Sequence, residues 1–279
     1  MKKIIAAFDG LKYAESTRDY AINIAKQTNT YLVGVFLDDS LYTSYKIYDL
    51  IAKEGVSEDK LKKLETQDKT IRAAAAANFD KACQKLGLEY AIHHNHNIAL
   101  QELKHESIYT DLLIINAKET LSHYTEKLPT RFIRDLLTDA QCPVMIVPQK
   151  YTPIEKIILL FDGEPSSVHA IKMFSYLLPQ LDTLHTEVIS VKTPESSLHV
   201  PDNKLMKEFM KRHFPKASYT VIKGWAEEEI AKILKQQTSN TLVVLGAYRR
   251  GTVSRWFRES MADTLLKECK LPLLIAHNK

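Results

Sequence analysis

The sequence predicts an α/β protein made of two tandem doubly wound parallel sheets, each with five strands. Two stretches, residues 3–10 and 156–163, share a first lysine, a continuous apolar run and a terminal Phe-Asp-Gly. Such a run is typical of a parallel strand that is covered on both faces. Each half also ends alike, with a proline before a last apolar stretch, at residues 142–147 and 271–276. One fold is therefore predicted to occur twice.

In the first half the strand at residues 3–8 leads into a predicted amphipathic helix at residues 14–27. The later predicted strands are residues 31–37, 90–93, 112–115 and 144–147. An enlarged segment, residues 38–86, separates the second strand from the third. Its later part, from Ser57 onward, is predicted to be one long helix. Ser57 followed by Lys60 is only half of a capping box, but the alanines at residues 73–77 favour helix.

The second half alternates strand and helix throughout. Its predicted strands after the first are residues 187–191, 219–222, 242–245 and 273–275. Its predicted helices are residues 166–178, 203–213, 226–236 and 254–268. This alternation is typical of a parallel sheet with helices on both faces, and not of a barrel or a sandwich. The junction at residues 148–153 has a proline at each end, which predicts a linker between domains at residues 1–148 and 153–279.

Composition excludes several classes of function. With 38 Lys and Arg against 34 Asp and Glu, the net charge of +4 is too balanced for the cationic surface that nucleic acid requires. No apolar run approaches the roughly 20 residues that span a bilayer, and we expect no export signal. The three cysteines lack C-x-x-C spacing, so neither a disulfide framework nor a zinc site is predicted. We expect a cytoplasmic protein.

A ligand site is predicted at the carboxyl ends of the central strands, where neighbouring connections run to opposite faces of the sheet. Asp9 and Gly10 follow the first strand of the first half, and Asp162 and Gly163 follow that of the second. Either carboxylate could accept a hydrogen bond from a ribose hydroxyl or hold a hydrated metal ion. An aspartate here could equally organise the turn or cap the helix, and spacing alone leaves both interpretations open.

The loop after the fourth strand of the second half carries residue types that bind phosphate. Gly246 ends the strand, Arg249, Arg250 and Gly251 follow, and Ser260 enters the last helix. Glycine lets a phosphate approach the backbone, a helix N-terminus offers N–H groups, and guanidinium groups pair with phosphate oxygens. A generic turn with two solvated arginines is the other interpretation.

In its strand order and in this loop, the whole chain resembles the universal stress proteins, in particular those with two domains in tandem. The resemblance implies sheets of the adenine nucleotide alpha hydrolase-like type, with strand order 3-2-1-4-5. In that family a loop written G-x-x-G, nine residues, G-[S/T] wraps the phosphates of ATP. The aspartate after the first strand and the end of the second strand hold the ribose and the adenine.

The resemblance assigns nucleotide-binding residues in the second half. Gly246 matches the first glycine and Ser260 the terminal Ser/Thr of the loop. Asp162 matches the aspartate of the first strand, and Val191 the position at the adenine edge. The neighbouring residues assigned to the same site are Gly163, Arg249, Arg250, Gly251 and Met261.

Both halves depart from the family pattern. In the second half, Arg249 and Glu259 stand at glycine positions, where a side chain hinders close backbone approach and a carboxylate repels phosphate. The charge of the arginine could replace the lost amide contacts. In the first half, residues 116–120 replace the glycine-rich loop, and only Asp9 and Thr130 match the family's site. We therefore expect the first half not to bind ATP in the family's usual way.

Polar clusters outside the crevices have competing interpretations. His93, His94 and His96 could share a metal ion, but they could also form the polar exit of the third strand, and no metal site is predicted. Three glutamates at residues 227–229 lie in the first turn of a predicted helix. The helix dipole favours negative charge there, so we interpret them as stabilising and not catalytic.

Aromatic residues form two further groups. Tyr42, Tyr45 and Tyr48 would form one stripe on a helix, which could line a lid over the first crevice or pack on its own domain. The pair at residues 256–257 could be a contact surface or could dock the last helix on the sheet.

The sequence predicts a binding or regulatory protein of the stress response and not an enzyme, because no motif pairs a general base with a nucleophile. The expected ligand is ATP with magnesium, or another adenine nucleotide, bound by the second half only. The alternative is a nucleotide-independent scaffold for a protein partner, with both sites decayed and segment 38–86 as its surface. An enzyme acting on a small phosphorylated ligand is the third hypothesis.

The two halves are expected to form an intramolecular pseudo-dimer. Their last strands, residues 144–147 and 273–275, would pair, because in the family that edge pairs across a two-fold axis and fusion fixes the partner. Two chains could associate further as a homodimer.

Overall fold

The computed structural model describes residues 1–38, 42–45, 57–95, 97–193, 199–246 and 261–276. Within these ranges the chain forms ten strands and eight α-helices. The strands are β1 Lys3–Asp9, β2 Tyr31–Leu37, β3 Tyr90–Asn95, β4 Leu112–Asn116, β5 Val144–Val147, β6 Lys156–Leu160, β7 His185–Lys192, β8 Ser218–Lys223, β9 Thr241–Gly246 and β10 Leu273–Ala276. The helices are α1 Glu15–Thr28, α2 Glu58–Lys85, α3 Ala99–Ile108, α4 Arg131–Asp139, α5 Pro165–Leu177, α6 Asn203–His213, α7 Ala226–Lys235 and α8 Met261–Glu268.

All ten strands belong to one sheet, in the order β3-β2-β1-β4-β5-β10-β9-β6-β7-β8. Neighbouring strands within each half are parallel. The predicted order 3-2-1-4-5 is therefore confirmed, because it occurs once in each half. The two five-stranded units join where β5 and β10 pair antiparallel, with Met145 opposite Leu274. This is the pairing of last strands that the sequence predicted, whereas the domain boundary at residues 148–153 stays a prediction.

The core consists of two layers, one on each face of the ten-stranded sheet. Alternate residues of a strand enter opposite layers, so Phe8 packs in the layer that contains Phe174, while Ile5 packs in the layer that contains Leu245. Each layer thus contains side chains of both halves. Pairing β5 with β10 also covers two strand edges that would otherwise expose unpaired backbone groups.

The long helix α2 confirms the prediction for the later part of the enlarged segment. Ser57 caps it, since its Oγ accepts a hydrogen bond from the N–H of Lys60 at 3.3 Å. The C-terminal part of α2 packs on the sheet through Phe79, which is fully buried. A Cβ at Gly34 of β2 would lie 2.7 Å from Cε1 of that ring, so only glycine admits this contact.

Several predicted features lie outside the described residues. Helix 254–268 is described from Met261 onward, and Tyr48, His96 and the pair at residues 256–257 fall in the ranges left out. The three cysteines are free thiols. No helix in the described ranges is both long and apolar enough to cross a membrane.

Candidate functional site

The second half has a pocket at the carboxyl edge of its central strands. It has a volume of about 230 Å³. The lining residues come from the ends of β6, β7 and β9 and from the starts of α5, α7 and α8: Leu160, Phe161, Asp162, Ser167, Ile189, Val191, Ala226, Glu227, Ile230, Leu245, Gly246 and Met261. This is the crevice in which doubly wound sheets bind ligands. Four of the sequence-predicted residues, Asp162, Val191, Gly246 and Met261, meet here.

Asp162 lies exposed on the rim of this pocket. Its Oδ1 accepts a hydrogen bond from the N–H of Glu164 at 2.9 Å, so the aspartate does organise the turn into α5. Gly163 completes that turn with φ +88°, and a Cβ there would lie 2.6 Å from Cβ of Pro201. The carboxylate is therefore both a turn residue and an accessible acceptor at the pocket.

Gly246 has a structural reason to be glycine. A Cβ at this position would lie 2.4 Å from the carbonyl oxygen of Ser166, in the first turn of α5. The end of β9 thus contacts the helix backbone directly, which a side chain would prevent. Because packing requires this glycine, it would be present with or without a phosphate nearby.

Most of the side chains that line the pocket are apolar, with Ile189, Val191 and Leu245 among them. Three of the twelve lining residues have a polar side chain. Ser167 Oγ donates to the carbonyl oxygen of Glu164 at 2.8 Å and is therefore not held by a base. Glu227 lines the opposite side, in the acidic first turn of α7 that the sequence predicted. Apolar walls with a few polar groups suit a flat ring that has hydrogen-bonding edges.

The remaining residues predicted for this site are not brought to the pocket by the described structure. Arg249, Arg250, Gly251 and Ser260 lie outside the described residues. Gly163 shapes the turn next to the pocket and does not line it. Sequence analysis missed Ser167 and Ile189 as lining residues. Ser167 lies in the first turn of α5, five residues after Asp162, and Ile189 lies two residues before Val191. These short separations could have indicated both.

In the first half, side chains among the described residues fill the equivalent crevice. Asp9 makes the same turn as its counterpart, with Oδ1 accepting from the N–H of Leu11 at 2.8 Å. Asp9, however, is completely buried, whereas Asp162 is exposed. A Cβ on Gly10 would lie 2.9 Å from Oδ1 of Asp38, so side chains of the protein itself fill this space.

A second buried carboxyl group, Glu119, lies beside Asp9. Glu119 Oε1 accepts hydrogen bonds from the N–H groups of Thr120 at 3.1 Å and Leu121 at 3.3 Å. Burial, together with the charge of Asp9, raises the pKa of Glu119 to about 8, and burial raises the pKa of Asp9 as well. Sequence analysis named this glutamate only as part of the loop that replaces the glycines. Its position after the fourth strand, facing the aspartate after the first, was the available signal.

Tyr42 covers this carboxyl pair and interacts with Asp9. Its ring is buried, and Nζ of Lys12 lies 5.5 Å from the ring centroid. Arg72 of α2 donates to the carbonyl oxygen of Tyr42 at 2.9 Å and forms an ion pair with the buried Asp38. Residues 42–45 are not helical, so the predicted tyrosine stripe does not form in that stretch. Of the two interpretations, packing on its own half describes Tyr42.

Thr130 caps helix α4 in this structure. Its Oγ accepts a hydrogen bond from the N–H of Ile133 at 3.2 Å and donates to the carbonyl oxygen of Glu119. Asp9 and Thr130, the two residues predicted for the first site, therefore both meet at Glu119, in a buried polar cluster and not in an open crevice.

The histidines at the end of β3 contact two different carboxylates. Nδ1 of His93 lies 2.6 Å from Oε1 of Glu106, and Nδ1 of His94 lies 3.6 Å from Oδ2 of Asp38. Among the residues that the structure describes, no group of three or more such side chains could hold a metal ion.

The fold is similar over its full length to solved two-domain structures. A universal stress protein from Archaeoglobus fulgidus DSM 4304 matches 99% of this chain and 98% of its own, with a TM-score of 0.71 and 11% identity. A functionally unknown protein from Pseudomonas aeruginosa PAO1 matches 99% of this chain and 92% of its own, with a TM-score of 0.59 and 14% identity. No protein-family model matches the sequence, and no curated protein matches it. At these identities the likeness establishes the fold.

Proposed function

We propose that this chain, which has the universal stress protein fold from end to end, is a cytoplasmic stress-response protein that binds an adenine nucleotide in its second half only. The observation that carries the proposal is the contrast between the two crevices. In the second half Asp162, Val191 and Gly246 line one pocket. In the first half a buried carboxyl pair, Asp9 and Glu119, occupies the equivalent space.

The pocket suits one end of a nucleotide. Its volume of about 230 Å³ lies below the roughly 300–1,000 Å³ of typical ligand pockets, so it would hold the base and part of the sugar. The adenine would lie against Val191 and Ile189, and the ribose hydroxyls would donate to Asp162. The phosphates, with any magnesium ion, would then extend past Gly246, which Arg249 and Arg250 follow in the sequence.

The first crevice is unsuited to a nucleotide for electrostatic reasons. A phosphate would meet the carboxyl groups of Asp9 and Glu119, which repel it when they are ionised. The ring of Tyr42 also covers them. Opening this site would expose buried carboxyl groups and break the contacts of Arg72 with Asp38 and Tyr42.

We assign binding and not catalysis to the second site. The hydroxyl of Ser167, a candidate nucleophile in the pocket, donates to a backbone carbonyl and not to a general base. If an activity screen with ATP and small phosphorylated compounds gave turnover that Asp162→Ala abolishes, the protein would be an enzyme instead.

Calorimetric titration with ATP, ADP and AMP tests the nucleotide proposal. Wild-type protein should bind one nucleotide per chain, and Asp162→Ala should weaken binding about tenfold, because a hydrogen bond to a charged acceptor is lost. Asp182→Ala is the matched control, since this exposed aspartate lies before β7 and far from the end that reaches the pocket. It should bind like wild type.

The absence of saturable binding at millimolar nucleotide would overturn this proposal in favour of the scaffold alternative. One observation favours that alternative as the second candidate. Helix α2 has 28 residues, but its only buried residue before Ala75 is Asp68. Most of its first half therefore offers a polar surface to a protein partner.

A further inference from the structure

A cavity of about 300 Å³ lies between the two halves, and it shares no lining residue with the pocket of the second half. It is found where β4 and β5 end and where β9 and β10 begin. Its lining residues come from both halves and from the junction between them: Ala117, Lys118, Leu128, Pro148, Gln149, Lys150, Thr152, Asn240, Leu266, Cys269, Lys270 and Leu271. The cavity exists only because the two halves are joined at β5 and β10.

Hydrogen bonds hold the walls of this cavity in place. Nδ2 of Asn240 donates to the carbonyl oxygens of Thr152 at 2.6 Å and Pro153 at 3.1 Å, which ties the junction to the second half. On the other side, the N–H of Ala117 donates to the carbonyl oxygen of Val147 at 2.9 Å. A ligand would therefore enter a formed site and would not have to order a loose segment.

The charge around the cavity is positive. Lys118, Lys150 and Lys270 line it, and none of the described residues that line it is an aspartate or a glutamate. Within the described ranges, none of these three ammonium groups forms an ion pair. All three lysine side chains are exposed at the cavity, and their positive charge would attract an anion inside it.

The remaining lining is largely apolar. Leu128, Leu266 and Leu271 line the cavity, and Leu266 is nearly fully buried. An inorganic ion would leave this surface without a partner. An apolar ligand body that covers the three leucines would stabilise the complex, because it removes their surface from water.

We propose that this cavity binds a small organic anion with an apolar body, such as an aromatic or short alkyl carboxylate. The apolar body would contact the leucines, and the carboxylate would face the lysines. A volume of about 300 Å³ corresponds to about ten water molecules at roughly 30 Å³ each, so a ligand of roughly ten to fifteen non-hydrogen atoms suits it. The site is separate from the nucleotide pocket and does not depend on it.

Calorimetric titration with naphthalene-2-carboxylate tests the charge argument. The carboxylate should bind once per chain, should weaken as salt is added, and should bind more tightly than the uncharged naphthalene-2-carboxamide. The triple variant Lys118→Gln, Lys150→Gln, Lys270→Gln should lower its affinity about tenfold. The triple variant Lys62→Gln, Lys63→Gln, Lys69→Gln removes the same charge from the exposed face of α2 and should bind like wild type.

Cys269 reports where the carboxylate binds. Its thiol lines the cavity and is partly buried, whereas Cys83 and Cys142 are buried elsewhere. Modification of Cys269 by iodoacetamide, followed by peptide mass spectrometry, should slow as the carboxylate is added. The concentration that gives half protection should equal the calorimetric dissociation constant. The variant Asp162→Ala should change neither value.

Three results would overturn the proposal. The first is equal affinity for the carboxylate and the carboxamide. The second is unchanged affinity in the triple variant of the cavity lysines. The third is saturable binding that leaves Cys269 modification at its original rate, since the carboxylate would then bind elsewhere.

Discussion

Two aspartates in matching positions differ because of what surrounds them. Asp9 and Asp162 each follow the first strand of a half, and each accepts a hydrogen bond from the N–H two residues later. Glu119, Tyr42 and Lys12 surround the first of them, while the second faces an open pocket. The motif therefore determines the turn, and residues distant in sequence determine whether the carboxylate can meet a ligand.

The buried pair predicts a pH dependence of stability. The usual pKa of Glu119 is near 4.5, and in the folded protein it is about 8. Between these values the folded protein holds a proton that the unfolded chain has released, so stability should fall as pH rises through this window. Glu119→Gln should flatten the decline and be more stable than wild type at pH 9. Urea unfolding at pH 5, 7 and 9 measures this.

Glu89→Gln is the control for this prediction, because Glu89 is exposed and lies before β3. It should decline with pH like wild type. An equal decline in Glu119→Gln and wild type would show that Glu119 titrates normally.

Two glycines at positive φ allow the cost of backbone strain to be distinguished from the cost of a steric overlap. Gly87 has φ +62°, and a Cβ there would meet nothing within 4 Å. Gly163 has φ +88°, and a Cβ there would overlap Pro201. Gly87→Ala should cost about 1 kcal/mol from the left-handed backbone alone. Gly163→Ala should lower the free energy of unfolding by more than that. Calorimetric melting of the two variants compares these losses. Equal losses would mean that Pro201 moves aside freely.

At the scale of elements, α2 holds the enlarged segment against the first half. Oδ2 of Asp68 accepts a hydrogen bond from the N–H of Ser44 at 2.8 Å, one turn before Arg72 reaches Asp38 and Tyr42. The helix thus contributes both an anchor for the segment and the cation that balances a buried carboxylate.

Loss of the Arg72 guanidinium group should lower the free energy of unfolding. Arg72→Met leaves the buried Asp38 without its guanidinium partner and should lower the free energy of unfolding by about 3 kcal/mol. Arg131→Met removes an exposed pair with Asp135 within α4 and should cost about 0.3 kcal/mol. Urea unfolding of both variants at pH 7 provides the comparison. If Arg72→Met cost no more than Arg131→Met, a rearranged His94 or solvent would balance Asp38.

Strands could be predicted from the sequence more readily than the contents of the first crevice. Parallel strands are buried on both faces, so β1, β4 and β6 are apolar runs that need no partner to be recognised. The occupancy of the first crevice depends on contacts such as Arg72 with Asp38, which join distant parts of the chain. The pocket of the second half was placed correctly because strand order alone determines its location.

At the scale of the whole molecule, both core layers run across the junction of β5 and β10. We therefore expect the two halves to unfold together in one transition, with equal calorimetric and van't Hoff enthalpies. Phe79→Ala in the first half and Phe174→Ala in the second remove fully buried rings. Each should lower the midpoint of that same transition. Two separate transitions, each moved by one variant, would mean that the halves fold independently.

Because β5 pairs with β10 of the same chain, the residues at the two crevices can differ. In an assembly of identical chains, one substitution alters every copy of a site. Here the two matching surfaces lie on one polypeptide, so a buried Glu119 can occupy one crevice while Asp162 stays exposed at the other. Each molecule therefore contains one crevice of each kind, because the covalent link between the halves fixes their ratio.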